Sequence, residues 1–153
     1  MAKLIVAMNG IKVGILAKDN RGGMDFQYLP TWLSRPGART ISLSLPLTSE
    51  IYRGERVYNF FDNLLPDSET LRSRMQSRFQ VPTSHPFDLL ASVGRDCIGA
   101  IQVYPEGSSL PAIDRVTATP LNDSQIAGLL AGYQSAPLGM TENEDFRISL
   151  AGA

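Results

Sequence analysis

Two apolar-rich runs, Leu4 to Met8 and Ile11 to Leu16, flank Asn9-Gly10. That dipeptide tolerates the positive φ values of a type I′ turn, so the chain is expected to open with a β-hairpin. After a loop at Asp19-Asn20-Arg21-Gly22-Gly23, Met24 to Tyr28 reads as a third strand with Phe26 and Tyr28 on one face. Pro30 and Trp32 begin a short turn, and Ser34-Arg35-Pro36-Gly37 is a loop. Ile41, Leu43 and Leu45 then alternate with Ser42 and Ser44 as far as Pro46, which predicts a fourth strand.

The period changes next. Val57, Phe60, Phe61, Leu64 and Leu65 fall at i, i+3, i+4, i+7 and i+8, one apolar stripe on a helix halted by Pro66. Asp67 is expected to cap a second helix whose Leu71, Met75 and Phe79 face inward, with Arg72, Arg74 and Arg78 more exposed. Pro86 suits a first helical position, Phe87, Leu90 and Ala91 form a short apolar face, and Gly94 is expected as a left-handed stop. Cys97 to Tyr104 predicts a fifth strand.

Breakers dominate residues 105–120, an expected linker between a sheet-rich body over residues 1–104 and a tail over 121–153. In the tail Asn122 and Gln125 can form a capping box, Leu121 can staple onto Ile126, and Ile126, Leu129, Leu130 and Tyr133 share a face. Asp145 to Leu150 alternates like a half-buried strand and runs into Ala151-Gly152-Ala153, a loop that is expected to need further protein beside it. The fold class that follows is α+β, an antiparallel sheet curling into a small barrel with packed helices, followed by a helical extension.

With 153 residues, 43% of them hydrophobic, the chain can fill a core. A formal charge of −1, from 14 basic and 15 acidic residues, gives no field to draw in nucleic acid or an anionic membrane, so direct binding to either is not expected. The single Cys97 excludes an internal disulfide framework and a cysteine-rich zinc site, and fits a reducing cytoplasm. The first apolar stretch is too short for a secretory core or a membrane span.

Candidate chemistry is sparse. The only histidine, His85, sits between Ser84 and Pro86 at a helix entrance, where local capping is the better reading than Ser-His-Asp or Cys-His catalysis. One histidine and one cysteine leave no metal-ligand pattern. Glu142, Glu144 and Asp145 read as a solvated loop before an acid–base pair. Arg72, Arg74 and Arg78 read as a polar helix face before an anion site, and Arg95-Asp96 as a turn. Phe26, Tyr28, Trp32, Phe60 and Phe61 lack the basic groove that base stacking needs, so they are assigned to the core. Leu150-Ala151-Gly152-Ala153 has neither the lysine nor the glycine spacing of a phosphate-binding P-loop.

The ordered blocks carry more. Phe26-Gln27-Tyr28, Trp32-Leu33, Leu43-Ser44-Leu45-Pro46-Leu47, Asn59-Phe60-Phe61-Asp62-Asn63-Leu64-Leu65-Pro66-Asp67-Ser68, Pro86-Phe87-Asp88-Leu89-Leu90 and Gly94-Arg95-Asp96-Cys97-Ile98-Gly99-Ala100 follow one another along the chain. Pro137-Leu138-Gly139-Met140 and the closing Asp145 to Ala153 extend the series. Together they resemble the N-terminal region of HipA-type serine/threonine kinases, the toxins of bacterial toxin–antitoxin modules linked to persistence.

That resemblance implies that the catalytic aspartate, the metal-binding aspartate and the nucleotide-binding lysine lie in a C-terminal lobe beyond Ala153. No catalytic or metal residue is then expected in this chain, and ATP and magnesium belong to the full-length family. Ser149 resembles the serine that family members autophosphorylate, and Leu150, Ala151, Gly152 and Ala153 resemble the start of the glycine-rich loop. A phosphate on Ser149 would add about two negative charges where ATP phosphates should lie, a physical reason for it to silence a kinase.

The implied partners are a HipA-type kinase lobe, in cis or in trans, and a HipB-like antitoxin. Asp62, Asn63, Asp67 and Ser68 are the candidate contacts with that lobe. Two readings follow: the N-terminal regulatory piece of a HipA-type kinase, or a free-standing protein resembling the HipS subunit of tripartite HipBST systems, which restrains a short kinase. The continuation into the kinase loop favours the first, because a dedicated partner is expected to end near Tyr104.

Overall fold

The opening hairpin pairs β1 (Ala2–Met8) with β2 (Ile11–Lys18), and its turn carries φ of 50° at Asn9 and 72° at Gly10. Both values are positive, as a right-twisted two-residue hairpin demands. The register slips between Val6 and Ala7, so that Val13 is the extra residue of a bulge that bends the ribbon. The computed structural model describes residues 1–97, 99–111 and 120–132.

β3 (Met24–Tyr28) adds to β2, β4 (Tyr52–Arg53) to β3, and β5 (Ile101–Pro105) to the free side of β1. The result is a five-stranded antiparallel sheet in the order β4-β3-β2-β1-β5. Among the described residues β4 and β5 are its two edges and do not pair, so the sheet remains open instead of closing into a barrel. The helices are α1 (Pro30–Leu33), α2 (Glu55–Asp62), α3 (Glu69–Arg78), α4 (Pro86–Val93) and α5 (Asp123–Gly132). A 3-10 turn, Gly94–Asp96, extends α4.

Strand alternation separates two clusters. Leu4, Val6, Leu16, Phe26 and Tyr28 meet Val57 and Phe61 of α2, Met75 of α3 and the apolar face of α4. Phe26 is the centre of an aromatic group, 4.9 Å edge-on from Tyr28 and 5.7 Å from Phe61. Ile5, Ile15 and Tyr104, aligned across β2, β1 and β5, form a smaller cluster with Ala7 and Leu110. The fold is α+β, as expected, and the aromatic set is core: Trp32 and Phe61 are buried and Phe60 is half-buried.

Several boundaries differ from expectation. Ile41 to Leu45 does not join the sheet; it makes one isolated bridge, Ser42 to Leu45. The hydroxyls of Thr40 and Ser42 accept from the amides of Ser42 and Ser44 at 3.2 Å each, and such local bonds compete with a ladder. The sheet position goes to Tyr52–Arg53 instead. α2 ends at Asp62, and Leu64 and Leu65 are buried from the turn beyond it. Ser68, not Asp67, caps α3, its hydroxyl accepting from the Leu71 amide at 3.4 Å. The fifth strand starts at Ile101 rather than Cys97, after a positive φ of 81° at Gly99.

Gly94 is not a left-handed stop, since its φ is −66°. Close approach is the reason for glycine there: an added Cβ would sit 2.7 Å from Val103 Cβ and 3.1 Å from its carbonyl oxygen. In the tail, the Asn122–Gln125 capping box forms reciprocally at 2.9 Å in both directions, while Leu121, Ile126 and Leu130 remain exposed. Residues 112–119 of the expected linker, Tyr133 and the expected terminal strand lie outside the described residues.

Candidate interaction surface

α2 and α3 are joined by a tight connection, residues 63–68, that Arg72 holds from behind. Its guanidinium donates to Asp62 Oδ1 at 2.5 Å and to the Pro66 carbonyl at 2.7 Å. Only 15% of the Arg72 side chain is exposed, so this is a shielded pair rather than a solvated surface contact. Arg72 therefore departs from the exposed face expected for it. Asp62, 27% exposed, has its carboxylate committed within the chain. Asn63, Asp67 and Ser68 are exposed on the connection that Arg72 fixes, so three of the four expected contact residues share one rigid edge.

Beside that edge lies an open groove of about 690 Å³ lined by Tyr58, Glu69, Arg72, Ser73, Thr83, Ser84 and His85. Its histidine is fully used by the fold. His85 Nδ1 accepts from the Phe87 amide at 3.2 Å and so caps α4, which leaves Nε2 to carry the proton and donate to the Gly22 carbonyl at 3.1 Å. Tyr58 meets the imidazole edge-on at 5.8 Å. A ring held at both nitrogens by main chain cannot take a proton from a nearby hydroxyl without releasing a helix end, so the expected capping role is the observed one.

Next to the groove, Lys18 donates to Asp88 Oδ1, and Thr83 donates to Asp88 Oδ2 at 2.5 Å. Burial works against the Asp88 charge, but the bonds from Lys18 and Thr83 outweigh it and hold the carboxyl below its usual range. Asp19 is likewise held low, by the amides of Gly23 and Arg21 that close the β2–β3 loop. Cys97 is buried, its thiol donating to the Gly94 carbonyl at 3.2 Å. Among the described residues no three His, Cys, Asp or Glu side chains gather to hold a metal. No described helix is long and apolar enough to cross a membrane. Ser149 and Leu150, Ala151, Gly152 and Ala153 lie outside the described residues.

The feature that strand alternation concealed is Leu43, exposed to 95% at the tip of the turn after Thr40. The signal for it was the charge pattern: residues 41–49 contain no ionisable side chain.

The family model of the HipA N-terminal domain matches residues 4–104. Two Sinorhizobium fredii proteins are similar to the chain. "Putative kinase Y4mE" is 32% identical over 154 aligned residues, covering 98% of this chain and 36% of the relative. "Putative kinase Y4dM" is 33% identical over 139, covering 86% and 34%. The chain thus spans about a third of the length of these relatives. Among solved structures, the complex of Shewanella oneidensis MR-1 HipA, HipB and operator DNA contains a chain that superposes with a TM-score of 0.65 at 21% identity, over 94% of this chain and 31% of that one. At that identity the likeness is one of fold.

Proposed function

The chain belongs to the HipA N-terminal domain family, and from that premise we propose that it is the non-catalytic docking and regulatory part of a HipA-type toxin kinase in a toxin–antitoxin module. The observation that carries this reading is a coincidence of boundaries. The family match runs over residues 4–104, and β1 to β5 run from Ala2 to Pro105, so the matched segment is the sheet-and-helix body itself.

The kinase-named relatives are nearly three times as long. That supports a second lobe which holds ATP and magnesium and transfers the phosphoryl group. Asn63, Asp67 and Ser68 then face that lobe, with Asp62 fixing their edge through Arg72. Ser149 is the phosphate acceptor of this reading, and Leu150, Ala151, Gly152 and Ala153 begin the glycine-rich loop. The fold neighbour was solved with HipB and operator DNA, which supports a HipB-like antitoxin as a further partner and a cytoplasmic setting. A net charge of −1 argues against this chain touching DNA itself. The match to Y4mE spans 98% of the chain, so body and tail occur together in a longer protein, which favours a kinase part over a free-standing HipS-like restraint.

The test is reconstitution with radiolabelled ATP and magnesium. The isolated chain is expected to remain unlabelled. Adding a HipA-type kinase lobe that lacks this region is expected to give a co-eluting complex, with label on the wild-type chain and none on Ser149→Ala. Self-labelling by the isolated chain, or no complex with any such lobe, would overturn the proposal.

A further inference from the structure

We propose that the turn Ser42-Leu43-Ser44-Leu45 is a preformed docking knob, with Leu43 as its anchor, for an apolar pocket on the C-terminal lobe that the longer relatives carry; the inference rests on the docking role proposed above. Among the described residues Leu43 is the most exposed large hydrophobic side chain, at 95%. It is not presented by a slack loop. Tyr28 reaches from the core to the base of the turn, its hydroxyl accepting from the Ile41 amide at 3.0 Å and donating to the Leu45 carbonyl at 2.5 Å. Leu45 itself is fully buried, so the two leucines of the turn point to opposite sides of the surface.

The rest of the loop is fastened as well. Tyr52 Oη donates to the Pro46 carbonyl at 2.7 Å, and Gln27 Nε2 donates to the Ser49 carbonyl at 3.0 Å. An anchor already held in place loses little conformational freedom on binding, the condition under which one apolar side chain contributes most to an interface. Its surroundings fit a protein pocket rather than a charged surface. Residues 41–49 carry no charge, so covering them desolvates no ion, and they offer nothing to a phosphate backbone or an anionic membrane. Further along the same loop, Leu47 and Ile51 are also exposed, at 40% and 43%. The occupant is the lobe because Y4mE and Y4dM devote about two thirds of their length to sequence outside the segments matched here.

The experiment titrates the chain, as wild type, Leu43→Ser and Leu47→Ser, into the part of Y4mE that follows its matched segment, with the melting temperature of each chain measured alone. The expected result is that Leu43→Ser binds at least tenfold more weakly, Leu47→Ser loses less, and both chains melt as the wild type does. Equal binding of wild type and Leu43→Ser would overturn the knob while leaving the docking role intact. Absence of binding by the wild type would overturn both. A lower melting temperature for Leu43→Ser alone would place Leu43 in a contact within its own chain. A wild-type dimer dispersed by Leu43→Ser would give the site to a second copy. Either of these last two outcomes sinks the proposed occupant.

Discussion

Replacing Tyr28 with phenylalanine removes one oxygen from the centre of the protein and isolates the contribution of a single buried hydroxyl. The ring keeps its place, because its edge-on contact with Phe26 at 4.9 Å does not involve the oxygen. The Leu45 carbonyl keeps a partner in the Thr40 hydroxyl at 2.5 Å. The Ile41 amide, which donates to Tyr28 Oη at 3.0 Å, loses its acceptor. An orphaned buried donor costs about 1–3 kcal/mol; Ile41 is only half-buried, so water can partly replace the tyrosine and about 1–2 kcal/mol is expected. For a chain of this size that lowers the melting temperature by about 2–8 °C. Urea unfolding followed through Trp32, the single tryptophan and a buried one, should show a lower midpoint with an unchanged slope. Hydrogen exchange at the Ile41 amide should accelerate in the same variant. An unaltered midpoint together with unaltered exchange at Ile41 would refute the claim that Tyr28 fastens the turn.

Phe61→Ala empties a fully buried position between Phe26 and Phe60 and should destabilise by about 3–5 kcal/mol; an unchanged melting temperature would mean that α2 turns another face to the sheet. Gly94→Ala forces α4 away from Val103 and should cost about 1–3 kcal/mol through overpacking, a loss that denaturant unfolding would detect. Asp88 has a folded-state pKa below its unfolded value of 3.8, so its contribution is fully present above that value and is lost as pH falls through the lower folded value. The gap in urea midpoint between wild type and Asp88→Asn should accordingly be widest near neutrality and close in acid, and a gap independent of pH would contradict the assignment.

The hairpin, the inward pair Phe26 and Tyr28, the cap at His85 and the Asn122 box were all legible because each depends on neighbours in sequence. The strand expected at Ile41 to Leu45 failed for the opposite reason. Its alternation is genuine, but the hydroxyls of Thr40 and Ser42 satisfy the local amides, and the sheet accepts a two-residue strand too short to leave a pattern. Gly94 was recognised as a required glycine, though what requires it is Val103 on a strand that follows, a contact no local motif encodes. Asn63, Asp67 and Ser68 were named together as candidate contacts, and the structure leaves all three exposed on one connection. Asp62 could not be separated from them, because its partner Arg72 is reached only when α3 folds back on α2. Leu43 was hidden for the same reason as the missing strand: alternation set it on one face with Ile41 and Leu45, and only tertiary structure turns it outward.

The sheet order also governs biosynthesis. β1 leaves the ribosome first and finds β2 at once, yet its other flank must wait until the chain has grown to Ile101–Pro105. Closing so long a loop is the slow, high-contact-order step of assembly. Until it occurs, that flank of β1, interior in the finished sheet, is a bare edge, open to pairing with a neighbouring nascent chain.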